Sequence, residues 1–94
     1  MNELIVGLIK GRHEMPVENY IFENEIKDVF DFVSIENQIE NFIKENKANK
    51  LIVYVTGLTC VTSALIKVCN KYNIKLILMH YNRESNNYIP QLIF

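Results

Sequence analysis

Residues 50–63, KLIVYVTGLTCVTS, restrict the fold more than any other part of the chain. Leu51, Ile52, Val53, Tyr54 and Val55 form an unbroken β-branched and aromatic run, the pattern of a strand in a parallel sheet covered on both faces. Thr56-Gly57-Leu58-Thr59 then turns the chain, and an amphipathic run opens at once. A strand that feeds a helix through so short a turn begins a β-α-β crossover, which is right-handed in nearly all proteins. The glycine lets backbone N–H groups face outward, and the helix start adds partial positive charge. Together these are how α/β folds hold anionic groups.

Other segments supply the partners this unit needs. Residues 3–9 (ELIVGLI) read as a buried first strand. Residues 10–16 are a loop ended by Pro16, and residues 17–22 are a weaker edge strand folding back beside the first. Residues 26–33 fit a short strand and a helical turn equally well, with Val29, Phe30 and Phe32 packed in either case. Ser34 is a good N-cap for a helix over residues 35–46, whose Ile35, Ile39, Phe42 and Ile43 fall at helical spacing. A second helix over residues 60–72 carries the stripe Val61, Ala64, Leu65 and Val68, with Asn73 as its stop. Residues 74–79 (IKLILM) are another buried strand, 84–87 a turn, and 88–94 a last strand that Pro90 confines to an edge or a bulge. The expectation is one α/β domain over residues 1–94. It is a small Rossmann-like sheet in two or three layers, with a β-α-β crossover, two main helices and one or two antiparallel edge strands.

Composition narrows the function. The 94 residues carry a formal net charge of -1, and no basic tail or patch argues for duplex nucleic acid. The apolar runs are too short to cross a bilayer and no signal-peptide pattern opens the chain, so a cytoplasmic, non-membrane protein is expected. Cys60 and Cys69 lie on one helix, about 13 Å apart along its axis, too far for a disulfide. Neither has metal-ligand spacing, so no metal or cofactor is expected. The acids Glu23, Glu25, Asp28 and Asp31 read as a solvated face.

Three apolar strands each end in a polar cluster: Lys10, Gly11, Arg12 and His13; then Thr56, Gly57 and Thr59; then His80, Tyr81, Asn82 and Arg83. In an open α/β sheet, ligands sit beyond the carboxyl ends of the strands. Parallel neighbours would therefore gather both histidines, two arginines, a lysine and the threonine-glycine loop on one rim, suited to a phosphate-bearing ligand. The plainer alternative is that loops after strands are polar because they are solvated, with Thr59 merely capping its helix. Most of the tyrosines read as packing groups, Tyr81 excepted.

Residues 51–65 resemble the signature of CRISPR-associated Rossmann-like (CARF) domains, in which an apolar strand runs into a threonine-glycine loop and a helix. Leu58 stands where that family often has a second glycine, and Cys60 where a lysine is common. The resemblance implies a homodimer that binds a cyclic oligoadenylate across its two-fold, with Thr56, Gly57 and Thr59 in the ligand loop and Gly11, Arg12 and His13 as a second wall. Ring nucleases of similar architecture also cleave such rings. Metal-independent cleavage by the ribose 2′-hydroxyl needs a base or orienting group, here His13 or His80, and positive charge on the developing oxyanion, here Arg12, Lys10 or Arg83. Two alternatives stand beside this ring-nuclease reading. One is a non-catalytic nucleotide-sensing or sequestering module. The other is a protein-interaction module pairing through residues 88–94, whose apolar end, Leu92-Ile93-Phe94, is expected to be buried in the fold, a dimer or a partner.

Overall fold

The computed structural model describes residues 2–11 and 14–94. The elements run β1 (Glu3–Ile9), β2 (Tyr20–Phe22), α1 (Phe32–Asn46), β3 (Lys50–Tyr54), α2 (Thr59–Lys71), β4 (Lys75–Asn82) and β5 (Asn87–Leu92). One five-stranded sheet has the order β2-β1-β3-β4-β5. The first four strands are parallel and β5 is antiparallel to β4. This is the expected small Rossmann-like α/β fold. No helix among the described residues is long and apolar enough to cross a membrane.

Both crossovers with helices, β2-α1-β3 and β3-α2-β4, step across the sheet in the same direction. Equal handedness therefore puts both helices on one face. Their contact is direct: Lys67 Nζ lies 3.2 Å from Glu36 and Lys71 Nζ 3.5 Å from Glu40. The core forms between helices and sheet, where Ile35, Ile39, Val61, Leu65 and Val68 meet Val6, Leu8, Leu51, Val53, Leu76 and Leu78. Two layers result. The expectation that residues 51–55 are covered on both faces is corrected, because only the Leu51 and Val53 side is roofed by helices. Ile52 and Tyr54, on the other side, remain half-buried.

Local chemistry moved several boundaries. The N-cap of α1 is Asp31, not Ser34: its carboxylate accepts from the Ser34 N–H at 3.2 Å, leaving Ser34 inside the first turn. Residues 26–31 form neither strand nor helix. Phe30 and Phe32 are exposed, at 70% and 50%, and pack edge-on against each other rather than in the core. The short β2 runs parallel to β1 instead of folding back, with Tyr20 opposite Gly7 and Phe22 opposite Ile9. Thr59 does not cap α2. Leu58 is the N-cap, and Thr56 Oγ1 accepts the Leu58 N–H at 3.4 Å. At the other end of α2, Asn73 (φ 62°) is the expected stop, with Ile74 N–H donating to Cys69 O at 2.8 Å and Asn73 N–H to Asn70 O at 3.3 Å. That pair of bonds is a Schellman motif.

Pairing with β5 extends β4 through Asn82, so His80 and Tyr81 belong to the strand. At the end of the chain Leu92 is exposed, and only Ile93 packs against the core. Cys60 and Cys69 are free thiols, and burial pushes the Cys69 thiol up to about 12.

Candidate functional site

Because β1, β3 and β4 are adjacent and parallel, their carboxyl ends share one edge of the sheet. The chain leaves β1 toward β2 but leaves β3 toward β4, so the reversal that opens a crevice falls on this edge. A hollow of about 490 Å³ lies there, lined by Val55, Thr56 and Gly57 after β3, His80, Tyr81 and Arg83 around the end of β4, Tyr88 of β5, and Glu14. That volume falls within the range of small-ligand pockets.

Each wall has a distinct chemistry. Thr56 Oγ1 holds the Leu58 N–H and so shapes the turn into α2. A side-chain Cβ at Gly57 would meet nothing within 4 Å, so the glycine leaves open space at the mouth of the hollow. The N-cap residue Leu58 makes no side-chain cap hydrogen bond, and the first-turn N–H groups of α2 carry the positive end of the helix dipole without lining the hollow. Arg83 has no carboxylate partner among the described residues. His80 Nε2 donates to Gln91 Oε1 at 2.7 Å, which fixes the ring and leaves Nδ1 as its unbonded nitrogen.

The fourth wall is aromatic. Tyr88 packs edge-to-face with Tyr54 at 4.6 Å and with Tyr81 at 5.3 Å between ring centroids. Burial, with Tyr54, Tyr81 and Tyr20 nearby, raises the Tyr88 phenol above its usual value. It stays a neutral donor, and its hydroxyl reaches the Glu14 carbonyl at 3.4 Å. Tyr81 is half-exposed and its hydroxyl donates to Asn86 Oδ1.

The edge does not unite every expected residue. Thr56, Gly57, His80, Tyr81 and Arg83 line the hollow. Lys10 and Gly11 instead line a separate depression with Ile26, Val29 and Leu58, where Lys10 faces Glu23 at 3.8 Å. Thr59 is exposed on the first turn of α2 and lines neither hollow. Asn82 holds the β4–β5 turn by accepting the Glu84 N–H at 3.0 Å. Arg12 and His13 lie outside the described residues.

Tyr88 and Glu14 were not anticipated. A signal for Tyr88 existed: Tyr81-Asn82 and Asn87-Tyr88 flank the turn symmetrically, as paired hairpin positions do. Glu14 enters through the path of a loop, for which no periodicity exists. Among protein-family models, curated proteins and solved structures, the chain has no significant match.

Proposed function

We propose that the protein binds a phosphate-bearing nucleotide in the 490 Å³ hollow, with a cyclic oligoadenylate as the ligand that the CARF resemblance of residues 51–65 implies. One observation supports the reading: an arginine with no carboxylate partner among the described residues, the open Thr56-Gly57 turn and a tyrosine face all border the same cavity. Phosphate suits Arg83 and the backbone of the open Thr56-Gly57 turn. A purine suits the Tyr81 and Tyr88 rings, because stacking on an aromatic face is open to any base. The reading requires binding only. Cleavage would add proton transfer at a 2′-hydroxyl, for which His80 Nδ1 is the unbonded nitrogen within this wall.

The test is a thermal-shift series in EDTA with AMP, ATP and cyclic tetra- and hexa-adenylate. A ligand at 100 times its Kd stabilises the native state by about 2.7 kcal/mol, a rise of roughly 10 °C or more for a domain of this size. The rise is expected with cyclic oligoadenylate and should be lost in Arg83→Ala and Gly57→Val. The second substitution adds side-chain bulk at the mouth of the hollow, where a Cβ meets no protein atom within 4 Å. No shift with any nucleotide overturns the reading. Ligand recovered intact identifies a sensing or sequestering module; linear product identifies a ring nuclease, to be assigned by His80→Ala and His13→Ala.

A further inference from the structure

The neighbours β1 and β3 are the pair between which the chain's travel across the sheet reverses: it leaves β1 for β2 and β3 for β4. Open α/β sheets take ligands in the crevice outside the carboxyl ends of such a pair. A hollow of about 580 Å³ occupies that position, walled by Ile9 at the end of β1, Leu58 after β3, and Ile26 and Val29 beyond β2. It is separate from the hollow beside Tyr81 and Tyr88, and its volume suits a small molecule.

Its chemistry differs from that of the tyrosine-walled hollow. Every neutral side chain on its wall, among the described residues, is aliphatic. Lys10 and Glu25 border it, one charge of each sign. Lys10 meets Glu23 at 3.8 Å, but both side chains are more than half exposed, and so open a pair is weak. An ammonium has three donors, so Lys10 keeps donors for a second anion. Glu25 has no cationic partner among the described residues. Gly11, at φ 90°, adds open space, because a Cβ there would meet nothing within 4 Å. A ligand can therefore approach its backbone closely.

We infer that this hollow binds a branched aliphatic α-amino acid. Its carboxylate pairs with Lys10, its ammonium with Glu25, and its side chain packs on Ile9, Ile26, Val29 and Leu58. One bordering charge of each sign selects a zwitterion over an aliphatic acid or amine. The site does not depend on the nucleotide reading, and its test uses no nucleotide.

The test is a titration of the full chain with leucine, followed through the backbone amide NMR signals. Saturable shifts centred on Gly11, Ile26 and Leu58 are expected at millimolar concentration or below. Isocaproate, which lacks the ammonium, and isoamylamine, which lacks the carboxylate, should each bind about tenfold more weakly. Glycine, which lacks the side chain, should lose a similar factor. Glu25→Gln should weaken leucine to the level of isocaproate, and Lys10→Gln to that of isoamylamine. Both side chains are exposed, so circular dichroism and melting of the two variants should match the wild type. Absence of saturable shifts with leucine overturns the inference, and so do shifts centred on Tyr81 and Tyr88. Isocaproate or isoamylamine binding as tightly as leucine overturns the zwitterion.

Discussion

Pro90 faces Met79 across the β4–β5 ladder at a position where the two backbones do not bond to each other. The Ile93 N–H donates to Leu76 O at 2.9 Å, which makes Leu76 and Ile93 a hydrogen-bonded pair. Bonded and unbonded pairs alternate in an antiparallel ladder, so Met79 and Pro90, three steps along, form an unbonded one. The missing donor of Pro90 therefore lies on the outer edge of the sheet, between the outward N–H groups of Tyr88 and Leu92.

An added strand would find no donor at the centre of this edge. Pro90→Val restores the donor and keeps a residue suited to a strand. Light scattering should then show concentration-dependent assembly that the wild type does not, while the urea midpoint moves by no more than about 1 kcal/mol equivalent. An unchanged assembly state would remove proline's protective role.

Lys47 ends α1 with φ 50°, its own N–H and that of Ala48 returning to Lys44 O and Ile43 O. A residue with a Cβ pays about 1 kcal/mol for this left-handed conformation. Lys47→Gly should raise stability by about 0.5 kcal/mol after the entropy of the freer unfolded chain is subtracted. Calorimetry should register a rise of about 2–4 °C, and a fall would refute the argument.

Tyr20 and Met15 lie over Gly7, so closely that a Cβ there would overlap the Tyr20 ring. Gly7→Ala should cost about 1–3 kcal/mol by overpacking. Adding Tyr20→Ala should recover part of that loss, giving a non-additive cycle in urea unfolding. Strict additivity would show that the ring is not the obstacle.

Glu40 joins the helices: it accepts from the Tyr72 hydroxyl and pairs with Lys71. The Tyr72 bond foremost, aided by Lys71 and Lys44 and opposed by burial, holds its carboxyl below the usual value. A lowered folded pKa stabilises the native state above the ordinary carboxylate range, and that contribution disappears as pH falls through the folded value. Melting temperatures from pH 7 to about pH 3 should fall more steeply for the wild type than for Glu40→Gln, the two curves converging in acid. Parallel curves would contradict this assignment.

The strands and helices that form the core were legible because burial imposes a period. The run Glu3–Ile9 and the stripes led by Ile35 and Val61 match the structure closely. Pro90 announced its edge through the donor it lacks. Phe30 and Phe32 misled because a large apolar side chain near a helix start carries no record of which way it points. Asp31 and Ser34 are both good caps, and only the path of the preceding loop decides between them. The direction of β2 depends on the sequence between it and β1, which has no repeating pattern. The hollow was legible to the same extent: its β3 and β4 walls follow from strand ends, whereas Tyr88 required the hairpin register.

The first strand lies second in the sheet, between β2 and β3. Deleting it would strip hydrogen-bonding partners from two strands at once and leave β2 with no strand to pair with. Removing β5 would only peel one rung-side from β4. The chain's earliest segment is thus a keystone that must wait for later ones, because its β3 partners stand 47 positions on. Assembly of this small domain is correspondingly governed by long loop closures rather than by its two helices.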